Sequence, residues 1–548
     1  MKAHPPPFAP VLGPLTSPQS YRRFEGPDTW DAIVIGSGIG GLTAAALLAR
    51  SAGRRVLVLE RHYTAGGFTH SFERPGFDWD VGVHYLGGMQ PGAVVWTLFD
   101  HLTDGELAWA DMGPVYDRVV IGTDRFDYPK GRKNLEAALK TAFPAEHRAI
   151  DGYFAAVKAA TRASQSFFVE KALPAGLATV AGPWLRRRYL RYAARTTRSV
   201  LEELTGNQRL IAILTAQFGD YGLPPAESSF AIHAAVASHY FGGGYYPVGG
   251  AGRIAATIIP AIERAGGAVL VSAAVDRIIV EGGRASGVRM ADGREFRAPL
   301  VISAAGVATT IGRLLPDDAA AASGLKDRLT TVRPSLGHFS LYLGLGASAE
   351  ALALPKTNYW IYPHDRPEAA LADFVRDPEA PFPLVYISFP AAKDPDFQRR
   401  HPGHSTIEAV TLAPWSWFGS WEGTRWMKRG DDYEALKSRI AARLQGVVEA
   451  YVPTIRGHVR HAELSTPLST AHFAGYPHGE IYGLDHTPAR FQARWLRPRT
   501  PIKGLFLTGQ DISTCGVAGA LLGGVLTASA ILRRNLLGSV LRERAVPA

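Results

Sequence analysis

Apolar and polar positions along this chain fall into two kinds of run. The first kind is short, dense in valine, isoleucine and leucine, and closed by glycine or a charged residue, which predicts buried strands. Such runs are Asp31-Ala-Ile-Val-Ile35, Arg55-Val-Leu-Val-Leu-Glu60, Ala268-Val-Leu-Val-Ser272, Val275–Val280, Ala285–Arg289, Leu300–Gly306 and Gly504-Leu-Phe-Leu-Thr-Gly509. Phe339–Gly344 and Leu384–Phe389 also read as strands. The second kind predicts helices: the run after Gly41, the run from Gly252 through Ala265, Leu135–Thr141, Leu201–Ile213, Tyr433–Tyr451 and a small-residue run from Val517. Strand, turn and helix alternate at the start of the chain, which predicts an α/β fold, with longer insertions between its pieces.

The first strand runs straight into Gly36-Ser37-Gly38-Ile39-Gly40-Gly41 and then a helix. Gly36 suits the tight turn, Gly38 lets the backbone approach a pyrophosphate, and Gly41 lets the helix pack on the strand. The helix N-terminus adds unpaired N–H groups and a positive dipole end. The second strand closes on Glu60, at about the twenty-residue distance where a carboxylate meets a ribose hydroxyl. Together these features predict a dinucleotide site.

Further residues narrow the choice: Glu60-Arg61, Ala65-Gly66-Gly67-Phe68, and Asp78-Trp-Asp80-Val-Gly82-Val-His84-Tyr85-Leu-Gly87. With the glycine turn, they resemble the FAD-binding half of the amine-oxidase and phytoene-desaturase group of flavoproteins. Gly82–Met89, Tyr245–Gly250, Leu354–Tyr359, Phe389–Asp394, Ser465–Leu468 and Thr508–Gly516 resemble the retinol-saturase and carotenoid-isomerase branch of that group. The resemblance implies a Rossmann-type, GR2-like FAD-binding domain with an α+β substrate domain inserted in two pieces. It implies an enzyme that holds FAD non-covalently and acts on carbon–carbon double bonds of a polyene or isoprenoid lipid. The residues expected at the cofactor are Gly36, Ser37, Gly38, Ile39, Gly40, Gly41, Glu60, Arg61, Gly66, Gly67, Phe68, Gly82, His84, Val275, Ala305, Gly509, Asp511 and Val517, with Asp511 at the ribityl or phosphate region.

The FAD-binding domain is expected over 30–100, 245–330 and 495–548, and the substrate domain over 101–244, mostly helical, and 331–494. Residues 1–29 are rich in proline and lack the apolar stretch of a signal peptide, so a flexible arm is expected there.

At 548 residues the chain is too long for one simple core. Its net charge of +10 is scattered and no zinc-finger, helix-turn-helix or RNA-reading pattern occurs, so no nucleic-acid partner is expected. The single cysteine, Cys515, excludes an internal disulfide and a cysteine-built zinc site. The histidines show no ligand spacing, and no metal is expected. Ile512–Leu532 is uncharged and about the length of a bilayer-crossing helix. It starts inside the flavin-like motif, however, and is interrupted by Gly516, Gly519, Gly523 and Gly524, so it is expected to lie against the cofactor. A cytoplasmic protein without a signal peptide or transmembrane helix is therefore expected. Trp184–Arg198 carries six arginines. On one helix, Arg187, Arg191, Arg195 and Arg198 would share a face, opposite Leu185, Tyr189 and Tyr192. That segment is either a peripheral contact with an anionic membrane or a solvated basic face.

A flavin carries the redox chemistry, while protein groups orient the substrate and move a proton. His84, Tyr85 and Tyr482 are the catalytic candidates, with His233, His239, Tyr245, Tyr246, His478 and His486 behind them. Pro414–Trp426, with Tyr359, Trp360 and Tyr362, is aromatic enough to wall a tunnel for a flat hydrophobic substrate or to fill a core. No second dinucleotide fingerprint occurs, so an external electron donor or acceptor is expected. Retinol-saturase-like reduction of a double bond is the leading reading. Carotenoid desaturation or cis–trans isomerisation is the alternative, and a non-catalytic flavin-binding protein the remote one.

Overall fold

The computed structural model describes residues 18–545. Its first sheet has six parallel strands in the order Gln19–Ser20, Ala268–Val271, Val56–Leu59, Ala32–Ile35, Val301–Ser303, Leu505–Leu507. Residues alternate between its faces. Ala32, Val34, Val56, Val58, Val269 and Ile302 meet the helices Ile39–Ala52 and Gly252–Glu263 on one side. Ile33, Ile35, Leu57, Leu59, Leu270 and Val301 meet the other, where the antiparallel strands Val275–Glu281, Arg284–Met290 and Glu295–Arg297 pack. Burial on both faces explains why these strands read as continuous apolar runs.

Part of the expected flexible arm is ordered. Gln19–Ser20 pairs with Leu270–Val271 at the sheet edge, and Trp30 Nε1 donates to the Pro27 carbonyl at 2.9 Å. Pairing gives that edge's backbone groups partners that an isolated strand would lack. The arm's residues 1–17 lie outside the described residues.

The helix Gly516–Leu532 packs along Ile39–Ala52. A Cβ on Gly40 would sit 2.5 Å from Gly509 Cα, and one on Gly524 would sit 2.6 Å from Thr43 Cβ. Gly523 and Gly524 therefore serve helix packing rather than approach to a cofactor. Among the described residues no single helix is long and apolar enough to cross a membrane; Gly516–Leu532 forms only a pair bent by 109° with Leu536–Glu543.

The second sheet has seven strands in the order Val459–Ser465, Gly337–Leu345, Ser405–Ala413, Val385–Ser388, Asn358–Tyr362, Val115–Ile121, Asp124–Pro129. All neighbours are antiparallel except Asn358–Tyr362 with Val115–Ile121. The segment 101–244 is mostly helical and also lends two strands to this sheet. One face, carrying Phe339, Leu341, Ile387 and Ile407, is covered by Tyr433, Leu436, Ile440, Leu444 and Val448 of the helix Asp431–Tyr451. The alternate residues, including Ser340, Tyr386, Ser388, Glu408 and Val410, point the other way.

Two helix expectations need correction. Leu201–Ile213 is two helices, Thr197–Glu202 and Gln208–Leu214, because Asn207 Oδ1 accepts from Leu210 N at 3.0 Å and starts a new helix. Trp184–Arg198 is not one helix either. Ala175–Ala193 ends before Arg195, which pairs with Glu203, while Arg198 pairs with Glu368 at 2.7 Å. The four arginines therefore do not form one face.

Candidate active site

A cavity of about 850 Å³ is lined by both sheets' domains. On the parallel-sheet side, Ile39–Ala52 begins at Gly38 with no side-chain cap, so its first N–H groups are left for a ligand. A Cβ on Gly38 meets nothing within 4 Å, and the same holds at Gly509 and Gly516, where an added side chain would enter free space. Gly36, at φ +95, makes the turn. Gly67, at φ +56, lies so near that its Cβ would be 2.9 Å from Gly38 Cα. This bare backbone is a cradle shaped for a dinucleotide.

Glu60 lines the cradle and is buried. Its Oε2 accepts from Ser37 N at 2.9 Å and Ser37 Oγ at 2.7 Å, and its Oε1 accepts from His62 N at 2.8 Å. Ser37 Oγ in turn accepts from Gly66 N at 3.0 Å, so Ser37 braces the turn from behind instead of lining the cavity. Gly41 is likewise a packing residue, since its Cβ would lie 2.3 Å from Gly36 O. Ile39, Gly40, Arg61, Gly66, Phe68, Gly82, Val275, Ala305 and Val517 all line the cavity, and so do His84, Tyr85 and Tyr482.

Asp511 does not. It is 3 % exposed, its Oδ2 accepts from Val307 N at 2.7 Å, and its Oδ1 accepts from Leu484 N at 2.9 Å. The carboxylate caps the helical turn beginning at Val307 and ties it to the 484 segment. The expected contact of Asp511 with a cofactor is corrected to this clamp, because the side chain lies off the cavity wall and is turned onto the Val307 and Leu484 backbone.

Separately read motifs converge on the opposite side. Asp80 Oδ1 accepts from Ser71 Oγ at 2.6 Å and Ala251 N at 2.9 Å, and its Oδ2 accepts from the Tyr246 hydroxyl. Lys393 Nζ donates to the His84 carbonyl, Asn358 Oδ1 and Ser388 Oγ, each at 2.7 Å. His84 Nδ1 lies 2.7 Å from Glu408 Oε2. Burial, with the Lys393 charge, pushes His84 down to about 3, and burial pushes Glu408 up to about 8; both directions favour a neutral pair with one proton between the two groups.

The Tyr85 hydroxyl lies 2.9 Å from Asp117 Oδ2 and 3.1 Å from Asp220 Oδ2. Burial and the two carboxyls push its phenol well above the ordinary value. The Tyr482 hydroxyl donates to the Gly219 carbonyl at 2.9 Å, which fixes the turn carrying Asp220. Cys515 Sγ donates to the Asp220 carbonyl at 3.4 Å, and burial pushes the thiol up to about 12, so it is a prop and not a nucleophile. His233 and Tyr246 spend their polar atoms on protein partners, and His239 Nε2 accepts from Gly87 N at 2.9 Å. Of the aromatic residues weighed for the tunnel, Trp360 and Trp426 line the cavity, whereas Trp415, Trp417 and Trp421 pack against the core below the sheet.

Sequence reasoning missed Asp117, Asp220, Lys393 and Glu408. Glu408 was the most findable: it is the lone charge in the otherwise uncharged Ser405–Ala413 strand, and a buried charge must be paired. Asp220 stands in Gln217-Phe-Gly-Asp-Tyr-Gly222, a turn sequence whose acid has no local partner.

A parallel sheet with a glycine turn, a second, mostly antiparallel sheet and a cavity lined by both give the fold of the flavin-type amine oxidases. Cyclohexylamine oxidase from Brevibacterium oxydans shares that fold at a TM-score of 0.57 and 17 % identity, over 94 % of this chain and 100 % of that one. The model of the NAD(P)-binding Rossmann-like domain matches residues 34–102. The all-trans-retinol 13,14-reductase of Danio rerio is 40 % identical over 94 % of this chain and 88 % of its own length. A protein of the same species named inactive all-trans-retinol 13,14-reductase is 35 % identical over the same shares. Prolycopene isomerase from Arabidopsis thaliana is 26 % identical over 93 % of this chain and 84 % of its own. This chain belongs to the all-trans-retinol 13,14-reductase family.

Proposed function

We propose that the chain holds FAD non-covalently and reduces one carbon–carbon double bond of a polyene or isoprenoid lipid. The observation that carries this reading is one continuous cavity. The bare-backbone cradle forms part of its wall, and Trp360, Leu384, Tyr386, Val410 and Leu412 form an apolar and aromatic part of the same wall. Because the family includes a protein named inactive, the activity rests on this site and not on membership alone.

FAD and NAD(P) share the ADP half that a Rossmann turn recognises. FAD is favoured by the second bare-backbone stretch, Gly509 and Gly516, which extends the cradle beyond the βαβ unit. Bound there, FAD supplies a two-electron couple that gives or takes a hydride. Glu60, at the cavity wall, would accept from a ribose hydroxyl, and Arg61 and Arg313 would supply positive charge there. The apolar residues exclude water. His84, held neutral by burial and the Lys393 charge and oriented by Glu408, offers a fixed imidazole edge to the cavity. Electrons come from an external donor.

Isomerisation on the same scaffold is the second reading, favoured by the prolycopene isomerase relatives. The test is anaerobic photoreduction of the yellow holoprotein, mixing with all-trans-retinol or a carotenoid, and mass analysis of the lipid. A gain of two hydrogens supports reduction. No mass change with an altered cis–trans ratio favours isomerisation, a loss of two hydrogens favours desaturation, and a colourless protein that takes up no FAD overturns the reading.

The lipid would be collected at a membrane surface. Leu177, Val180 and Trp184 lie at helical spacing on Ala175–Ala193 and are 60 %, 83 % and 75 % exposed. Arg187, Arg188 and Arg191, also exposed, continue the same stripe. An apolar stretch followed by a basic one suits anionic headgroups over acyl chains. The helix packs on Phe230–Tyr240, whose Ile232, Ala235 and Val236 line the cavity.

A further inference from the structure

Two carboxylates meet one phenol at the cavity wall. A tyrosine hydroxyl carries one hydrogen, yet Tyr85 Oη has Asp117 Oδ2 at 2.9 Å and Asp220 Oδ2 at 3.1 Å. If both carboxyls were ionised, one of them would face an oxygen lone pair with no hydrogen between, in a buried site where charge repulsion is weakly screened. A second proton must therefore sit in the triad.

The hydrogen-bond donors decide where. Asp117 Oδ1 accepts from Asn358 Nδ2 at 3.0 Å, and its Oδ2 accepts from Gln217 Nε2 at 2.8 Å. The Asn358 amide cannot be reversed, because its Oδ1 accepts from Lys393 Nζ at 2.7 Å. Asp117 thus has a fixed N–H donor in Asn358 and a second donor in Gln217, and these bonds hold its carboxyl to about 6 against the upward push of burial, below that of Asp220. The Asp220 side chain has Tyr85 alone as its hydrogen-bond partner and opens onto the cavity. The charged or titratable groups that interact with it are Asp117, Cys515 and the phenols of Tyr85, Tyr116, Tyr221, Tyr240, Tyr362, Tyr386 and Tyr482, none of them a cation. Burial and the Asp117 charge push the Asp220 carboxyl well above its ordinary range. The turn that presents it is held by Tyr482 through Gly219 and by Cys515 through its own carbonyl.

We infer that Asp220 is the acid that delivers a proton to one carbon of the substrate double bond, with Tyr85 as its positioning residue; this rests on the reading of the chain as a polyene reductase. The Asp220 O–H bond breaks and a C–H bond forms at one carbon. The neighbouring carbon takes the hydride, with its two electrons, that the reduced flavin supplies. The π bond is lost and Asp220 is left as a carboxylate. Tyr85 then turns its hydrogen from Asp117, which keeps its two amide donors, to the new charge on Asp220. A proton from water restores the acid.

The test uses the full-length holoprotein and its Asp220→Asn variant. The infrared difference between them, in water and in deuterium oxide, should show loss of a protonated-carboxyl band that shifts on deuteration. Loss of ionised-carboxylate bands instead overturns the inference. After photoreduction, reoxidation by all-trans-retinol should slow by about 10²- to 10⁴-fold in Asp220→Asn, with flavin absorbance and retinol quenching of tryptophan fluorescence retained. An unchanged rate overturns it. If the wild type itself is not reoxidised by any polyene, the proposed function fails, and the infrared band alone decides whether Asp220 holds the proton. Tyr85→Phe guards against a folding defect in Asp220→Asn: the band should move in frequency without vanishing, and an unmoved band counts against the bridge.

Discussion

His84 Nδ1 and Glu408 Oε2 stand 2.7 Å apart, and the Glu408 side chain has no exposed surface. Its other oxygen accepts from Asp80 N at 3.0 Å. Burial raises Glu408 from its ordinary 4.5 to about 8, so the folded state binds its proton more tightly than the unfolded state does. That contribution to stability is complete below about 4.5 and is lost as pH rises through about 8. His84 runs the other way: lowered to about 3 from 6.5, its contribution is present above 6.5 and lost as pH falls through about 3.

Between pH 6.5 and 8, then, the Glu408 contribution falls while the His84 contribution stays constant; Lys393, lowered by burial to about 7, works the other way above that value, so the Glu408 part is read from a variant. Asp394 and Glu480, each raised to about 7 by burial, add to the same fall. Glu408→Gln keeps an acceptor for Asp80 N and a donor for His84 without titrating. The thermal midpoint of the wild type should therefore fall relative to that of Glu408→Gln across this window. Equal slopes would show that Glu408 is ionised in the native protein. Glu408→Ala leaves a buried imidazole nitrogen and a backbone N–H unpaired and should cost about 1–3 kcal/mol for each.

Gly38 and Gly41 should fail differently, although they stand three residues apart. A Cβ on Gly38 has no neighbour within 4 Å, so Gly38→Val should fold, with an unchanged far-ultraviolet circular dichroism spectrum, and purify without yellow colour. A Cβ on Gly41 would be 2.3 Å from Gly36 O, so Gly41→Val should lose at least about 1–3 kcal/mol of stability by overpacking. Retained flavin absorbance in Gly38→Val would displace the cofactor from this turn.

Asp511 separates a clamp from a cofactor ligand. Asp511→Ala leaves the buried N–H groups of Val307 and Leu484 unpaired and should destabilise the protein by about 1–3 kcal/mol for each. Asp511→Asn, which keeps one acceptor oxygen, should recover about half of that loss in urea titrations. FAD affinity in Asp511→Asn should stay close to that of the wild type. A large loss of affinity without loss of stability would return Asp511 to the cofactor.

The cradle was legible because its signals are local. Gly36, Gly38 and Gly41 each answer to a constraint set within a few residues, and the doubly buried strands advertise themselves as unbroken apolar runs. Asp511 was misplaced because its partners, Val307 and Leu484, are distant in sequence, and nothing beside an acid in a turn says which backbone it caps. Asp117 and Asp220 share Tyr85 only because a strand, a turn and the Gly82–Met89 segment meet in space. The helix break after Ala193 was hidden because Arg195 and Arg198 find acids at Glu203 and Glu368, and only tertiary pairing draws them off the helix line.

The exposed stripe on Ala175–Ala193 makes the last prediction. Burying Trp184 or Val180 in an acyl layer gains about 1.5–3 kcal/mol for each if burial is complete, and each arginine near an anionic surface adds about 1 kcal/mol. Replacing Arg187, Arg188 and Arg191 together by Gln should therefore weaken sedimentation with vesicles rich in anionic lipid by about 10²-fold at low salt. The same variant should bind neutral vesicles as the wild type does, because its loss is purely electrostatic. Val180→Ser with Trp184→Ser should weaken binding to both kinds of vesicle, since it removes the apolar half of the contact. All five positions are exposed, so folding should be untouched, and photoreduced protein should still act on detergent-solubilised retinol at the wild-type rate. If the arginine and apolar variants bind vesicles as tightly as the wild type, this stripe is a solvated face, and the lipid reaches the cavity by another route.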